Sequence, residues 1–294
     1  MKILKKITLT LLLILGSISN YTKTDSQYDF NCPEKKIVVV IPSYNNREWI
    51  IENLDSVRLQ CYQNFEIIYI NDNSTDDTIE TAETYKEVYK LEDKLTIVNN
   101  KIRVGALANL YKAIHSCQND SIIVTLDGDD WLAHPYVLKI INSVYQDPSI
   151  WMTYGSYRSL PECKTGFCKV FGDNVIKHNL FRKTSLPISH LRTFYAGLFK
   201  LIKFGDLLYE GEFYQMAWDK TIMAPIIEMA GPHHKFIEDI LYHYNNANPI
   251  NDHRVNEQLQ RDLCKHVLSK PPYSRVQWED IISAKTKIPI ALHQ

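Results

Sequence analysis

The hydrophobic positions of this chain fall into two regimes. Through the first half, short apolar runs alternate with stretches of helical spacing. Ile37–Ile41 (IVVVI) is apolar and β-branched without a break, the pattern of a strand buried on both faces. Residues 47–60 then carry Trp49, Ile50, Leu54 and Val57 on one helical face. A second buried strand is predicted over Glu66–Ile70 (EIIYI), and a capping-box pattern, Ser74-x-x-Asp77, opens a helix through Ile79, Ala82 and Tyr85. A strand over Leu95–Val98, a helix over Gly105–Cys117 and a strand over Ser121–Leu126 continue the alternation. Short connections between such elements predict an α/β fold, a mostly parallel sheet flanked by helices.

The second half has no such rhythm. Residues 134–145 have helical spacing and Ile150–Tyr154 that of a strand, followed by a stretch rich in Gly, Pro and Cys to about residue 175. Helices are predicted around Leu191–Lys203 and Phe213–Ala230, and a strand over Lys235–His243. An Asn-rich loop, NNANPIND, precedes a charged tail of helical character. At the other end, Lys2, Lys5 and Lys6 stand before the apolar run Ile7–Ile18 and the small residues Ser17 and Ser19. This is the layout of a secretory signal peptide over residues 1–19, with an uncleaved signal anchor as the alternative. The run is shorter than the roughly 20 residues that span a bilayer. The expected setting is the lumen of the secretory pathway or the exterior, with membrane attachment only through a retained leader. Residues 20–35 are polar and predicted to be a linker.

Composition changes this picture little. Hydrophobic residues make up 45% of the 294 and charged residues 23%, enough for a sizeable core and too apolar for extended disorder. Lys+Arg number 33 against 34 Asp+Glu, a net charge of −1, so no basic field draws in nucleic acid. Six cysteines (Cys32, Cys61, Cys117, Cys163, Cys168 and Cys264) suit an exported chain, and Cys163 and Cys168, bracketing a turn-like KTGF, are the expected local bridge. Asn20, Asn73 and Asn119 open glycosylation sequons.

The candidate chemistry lies where the strands end. In an open parallel sheet, ligands bind beyond the carboxyl ends of the strands. Here those ends read Pro42-Ser43-Tyr44-Asn45, Asn71-Asp72-Asn73-Ser74, Asn99-Asn100-Lys101-Ile102-Arg103 and Asp127-Gly128-Asp129-Asp130. Three carboxylates within four residues repel one another, and a divalent cation with oxygen ligands, Mn²⁺ or Mg²⁺, resolves that repulsion. Gly128 permits a sharp turn or a close approach. Read without a ligand, the same string is a solvated acidic turn.

In their order and spacing, PSYNN, INDNSTDDT, the stretch from Asn100 through Arg103 to Asn109, and LDGDDW resemble the family-2 glycosyltransferases of the GT-A fold. The resemblance covers residues 36–135 well and the remainder loosely. It implies a nucleotide-sugar-binding half over 36–150, an acceptor-binding half over 151–250, and a closing loop and tail over 251–294. It also implies donor contacts from Pro42, Ser43, Tyr44 and Asn45, with Asp72 reading the base and Arg103 and Asn109 on base, ribose or phosphate. Asp127, Gly128 and Asp129 fall on the DxD positions, Asp129 as the direct metal ligand and Asp127 nearer the ribose and a metal-bound water.

The family's base lies on a helix of the second half, which maps to Asp219 in Trp218-Asp219-Lys220. Trp218 stands where relatives carry a second acid. Without a catalytic role, Asp219 would pair with Lys220 or cap a helix. Glu210, Glu212 and Glu228 are lesser candidates for the base. In Ser189-His190-Leu191-Arg192, the histidine and arginine either bind diphosphate or acceptor, or lie along an exposed helix start. A histidine from the carboxyl-terminal segment often joins the metal, and His243 and His253 are available, with His253 preferred.

The implied reaction is an inverting, metal-dependent transfer of a sugar from a nucleotide-sugar, UDP-linked by preference, to a hydroxyl of a glycan, protein or surface polymer. One competing class is a nucleotidyltransferase that makes nucleotide-sugars, but it would want a Gly-rich basic loop after strand one, where this chain has Ser-Tyr-Asn-Asn. Another is a non-catalytic carbohydrate- or nucleotide-binding relative, against which Asp72, Asp127, Asp129 and Asp219 all speak. Neither a P-loop nor an H-E-x-x-H motif occurs.

Overall fold

A computed structural model of the chain describes residues 27–250 and 255–286. The leader 1–19 and His253 lie outside the described residues. One eight-stranded sheet organises everything else. Its first half follows the predicted alternation: β1 (Ile37–Ser43), α1 (Ile50–Arg58), β2 (Phe65–Asn71), α2 (Thr78–Tyr89), β3 (Leu95–Asn99), α3 (Ala106–Ser116) and β4 (Ile122–Thr125). β1 pairs in parallel with both β2 and β4, and β2 with β3. Every residue of β1 and β4 is buried, so both faces of the sheet centre are covered. That is why these runs lack alternation in the sequence.

The second half contributes β5 (Trp131–Leu132), α4 (Val137–Val144), β6 (Met152–Leu160), α5 (Asp173–Lys177), β7 (Ser189–Tyr195) and α6 (Ala196–Lys200). A small hairpin of β8 (Leu208–Tyr209) and β9 (Glu212–Phe213) leads into α7 (Trp218–Ala230), β10 (His234–Asn245), α8 (Glu257–Ser269) and α9 (Trp278–Ile282). The sheet order is β3-β2-β1-β4-β7-β6-β10-β5. β7 runs antiparallel to both its neighbours, β6 and β10 are parallel, and β5 is an antiparallel edge.

Four expectations change. Leu191–Lys203 is no helix: it divides into β7 and the five-residue α6. All seven residues of β7 are buried, and a strand covered on both faces shows no period-two pattern to separate it from a buried helix. No capping box forms at Ser74. The second helix starts at Thr78 after Asp77, without a side-chain cap, and the Ser74 hydroxyl instead accepts from the Asn45 backbone N–H at 2.9 Å. Cys163 and Cys168 are not bridged; both are free thiols. The described part of the linker, 27–35, is packed down: Tyr28 donates to Asp239 at 2.6 Å, and Phe30 stacks on Tyr136.

The described tail is equally integrated. Leu263, Val267 and Ile281 are buried, and the Ile281 carbonyl lies so close over Gly197 that a β-carbon there would meet it at 2.1 Å. Among the described residues no helix is long and apolar enough to cross a membrane.

Candidate active site

The carboxyl ends of β1, β2 and β4 meet around the acidic turn Asp127–Asp130. The turn is held from behind. Asn53, a fully buried polar residue on the apolar face of α1, donates through Nδ2 to the carbonyls of Asp127 (2.9 Å) and Asp130 (2.7 Å). The Tyr242 hydroxyl donates to Asp130 Oδ2 at 2.6 Å and accepts from the Asp127 N–H at 3.3 Å. Asp130 Oδ1 accepts from the Asn245 N–H at 2.6 Å. Gly128 presses on β1: a β-carbon there would stand 2.6 Å from Ser43 Oγ and 2.7 Å from Asn46 Nδ2. No side chain fits without moving the loop, so the glycine is required by proximity.

Burial works against charge on these acids. Burial pushes the Asp127 carboxyl up to about 6; the charges of Asp129 and Asp219 add to the rise and Arg192 opposes it. Burial, then Asp129 and Asp127, drives Asp130 well above the usual carboxylate range. Asp127, Asp130 and His190 offer one ligand atom each, all within 4.8 Å of one another. Burial, with Arg192 beside it, holds His190 well below the ordinary histidine range, hence neutral as a metal ligand must be. Two carboxylates and an imidazole suit a divalent ion such as Mn²⁺, so the residues fit the expected metal.

Among the described residues this cluster shares Asp127 with the predicted set, and His253 lies outside them. Asp129 does not enter this cluster; its Oδ2 accepts from Asn248 Nδ2 at 2.7 Å. The other tail candidate, His243, is half-buried against Trp131, whose indole N–H donates to its Nδ1 at 3.1 Å. His190, on β7, supplies the imidazole of this candidate cluster. It stacks on Tyr242, with ring centres 4.1 Å apart.

On the donor side, Arg103 lies over the Tyr44 ring at 3.8 Å, joining the loops after β1 and β3. Pro42 and Ser43 are buried, and the Ser43 hydroxyl accepts from Tyr69 (2.7 Å) and Asn46 (3.0 Å). The side-chain oxygen of Asn45 is engaged by the Thr75 N–H at 2.8 Å. Asp72 is buried and braces the loop after β3: Oδ1 accepts from Asn100 Nδ2 (2.8 Å) and the Val104 N–H (3.0 Å), and Oδ2 from the Gly105 N–H (2.8 Å). Asn109 accepts from Asn100 at 2.7 Å, while its Nδ2 is buried without a hydrogen-bond partner. Asn109 also borders a groove of about 740 Å³ on the open face of β2 and β3, lined by Ile68, Val98 and Lys112. None of the acidic turn lines that groove.

Asp219 opens α7, its side chain one-third exposed, with Oδ2 3.7 Å from Arg192 Nη1. It neither pairs with Lys220, whose ammonium donates to the Ser185 carbonyl at 2.9 Å, nor caps the helix. Arg192 reaches Asp127 Oδ2 through Nη2 at 3.6 Å. The lesser base candidates stand elsewhere: Glu228 is a core ion pair with Arg182, and Glu210 and Glu212 belong to the β8–β9 hairpin. Three residues of this site, Asn53, Tyr242 and Asn248, have no role in the sequence-based reading, and Asp130 enters it only as one of the three clustered carboxylates. Of the three, only Asn53 leaves a trace, a polar residue among apolar ones on a helix face.

A sheet with this strand order, ending in an acidic turn, defines a GT-A glycosyltransferase fold, and residues 38–165 match the glycosyl transferase family 2 model. That match covers less than half of the chain, and relatives named as glycosyltransferases align over a similar share. An uncharacterized glycosyltransferase of Haemophilus influenzae is 32% identical over 127 residues, 43% of this chain and 37% of its own length. The chain thus spans well under two thirds of that relative. Among solved structures, S. aureus TarS 1-349 in complex with UDP-GlcNAc superposes with a TM-score of 0.52 at 15% identity, covering 72% of this chain and 59% of TarS 1-349. The mannosyltransferase PcManGT from Pyrobaculum calidifontis, in complex with GDP-Man and Mn²⁺, gives 0.52 at 18% identity over 84% of this chain and 68% of its own. At these identities the structures speak for the fold.

Proposed function

We propose that this chain transfers a sugar from a nucleotide-sugar, with inversion, to an acceptor hydroxyl. The observation that carries the reading is the pairing of two carboxylates across one buried cation: Asp127 on the turn after β4 and Asp219 at the start of α7 both face Arg192. One acid belongs to the candidate metal-ligand cluster where the diphosphate would leave; the other is solvent-reachable, as a base for an incoming hydroxyl must be. Neighbours of the same fold bound UDP-GlcNAc or GDP-Man, which supports a nucleotide-sugar donor, and the Tyr44–Arg103 stack offers an aromatic and cationic surface for its base and phosphates.

In this mechanism Asp219 takes the acceptor proton, the acceptor oxygen forms its bond to the anomeric carbon, and the bond from that carbon to the diphosphate oxygen breaks with its electron pair. Asp127, Asp130 and His190 would hold a divalent cation. When bound, that ion offsets charge on the departing diphosphate. Asn53 and Tyr242 keep the turn in place, and Asn248 holds Asp129. A UDP-linked donor, a glycan or protein acceptor and an exported setting complete the proposal.

The test is nucleotide release from a panel of UDP-, GDP- and CDP-sugars, with Mn²⁺ and with EDTA. Metal-dependent release from one donor is the expected result. No release and no nucleotide binding across the panel would sink the reading.

A further inference from the structure

Arg192 is the one cation that an ion pair links to the site's carboxylates among the described residues. It is 1% exposed. Its strand explains its aim: alternate residues of a strand share a face, so His190 and Arg192 point the same way from β7, and Thr193 points the other way to Tyr145 and Thr153. The guanidinium is divided among three partners. Nη1 faces Asp219, Nη2 faces Asp127, and Nη2 also lies 2.9 Å from His190 Nδ1. Its centre lies 4.7 Å from the Trp218 ring. Nε has no hydrogen-bond partner.

Neither carboxylate closes on this cation. Charge-assisted N–H···O contacts normally settle at about 2.7–2.9 Å, whereas both ion pairs here stand near 3.6–3.7 Å. Asp219 is partly open to solvent and could approach if the ion pair alone decided its position. A planar fork between two acids keeps them apart at a set spacing, and a single-point ammonium cannot face both. Trp218, directly before Asp219 on α7, supplies the face on which the fork rests.

We propose that Arg192 is a positioning residue of the transfer reaction: its fork, seated on Trp218, fixes Asp219 relative to Asp127 so that the base faces the donor before the acceptor arrives. The proposal rests on the transferase reading given above. It assigns Trp218 a purpose that neither helix capping nor charge supplies.

The decisive variants are Arg192→Lys and Arg192→Gln, compared with wild type for UDP binding in Mn²⁺, for kcat and KM, and in a cycle with Asp219→Asn. Arg192→Lys should bind UDP within about threefold of wild type, lose at least about thirtyfold in kcat, and cost nothing further once Asp219 is already Asn. A kcat within threefold of wild type, or losses that multiply in the double variant, would overturn the proposal. So would failure of both arginine variants to fold, since that makes the residue a core element. If the wild type turns over no donor, the geometry is read on stability instead, and the transferase reading itself falls only if no nucleotide binds either. Removing Asp127 or Asp219 singly leaves Arg192 one carboxylate. The double Asn variant should therefore melt at least about 5 °C below the sum of the single shifts, and simple additivity would contradict the coupling.

Discussion

Among the described residues of the second half two arginines, Arg182 and Arg192, are buried, and their surroundings treat them in opposite ways. Arg182 closes on Glu228 with two hydrogen bonds, 2.7 and 3.0 Å, and gives its remaining nitrogen to the Val267 carbonyl. Glu228 is fully buried and also accepts from the Tyr273 N–H at 3.1 Å, so this pair ties η-turn Phe181–Lys183, α7 and the tail into one unit. Arg192 is buried as deeply, yet both its acids stand off and one nitrogen is unused. A satisfied buried pair holds structure together. An unsatisfied one is costly, and proteins keep such arrangements where chemistry needs them.

The comparison breaks first at Glu228. Glu228→Gln should lower unfolding stability by about 3–5 kcal/mol, because it leaves Arg182 buried without a counter-charge. Nucleotide binding per folded molecule should not change, which denaturant titration and calorimetry would check together. A change in binding with intact stability would erase the distinction between the two arginines.

The next effect concerns the acidic turn. Gly128→Ala places a methyl group against Ser43 and Asn46, and overpacking of that kind costs about 1–3 kcal/mol. Since the clash lies between the turn and the loop after β1, metal-dependent UDP binding should weaken along with the melting temperature. The smallest effect belongs to the exposed stack. Arg103→Ala removes a cation–π contact worth about 0.5–1 kcal/mol at an exposed site, so UDP should bind roughly two- to fivefold more weakly with unchanged stability.

Legibility in the sequence follows the same division. The parallel half announces itself because its strands are short, mostly apolar runs separated by stretches of helical spacing, so β1 to β4 and the polar loops beyond them could be placed from pattern alone. Asp127 could be named because acids clustered at a strand end are conspicuous, whereas Asp219 comes from the family resemblance alone. The connection between them was hidden. Arg192 and His190 lie in a segment whose residues are buried on both faces, where helix and strand give the same pattern. Asn248 reaches Asp129 from a loop whose path no periodicity describes. The ligand cluster depends on β7 lying antiparallel beside β4, a pairing between residues about 70 positions apart that composition cannot reveal.

The central claim is that donor and acceptor acids are separate groups serving one reaction. It is tested most directly by comparing Asp127→Asn and Asp219→Asn for UDP binding in Mn²⁺ and for sugar transfer in the same preparations. Asp127→Asn should lose metal-dependent binding and transfer together. Asp219→Asn should bind UDP within about threefold of wild type and lose transfer by roughly 10²–10⁴, the usual worth of a general base. Transfer that survives in Asp219→Asn, or binding that vanishes with it, would contradict the account.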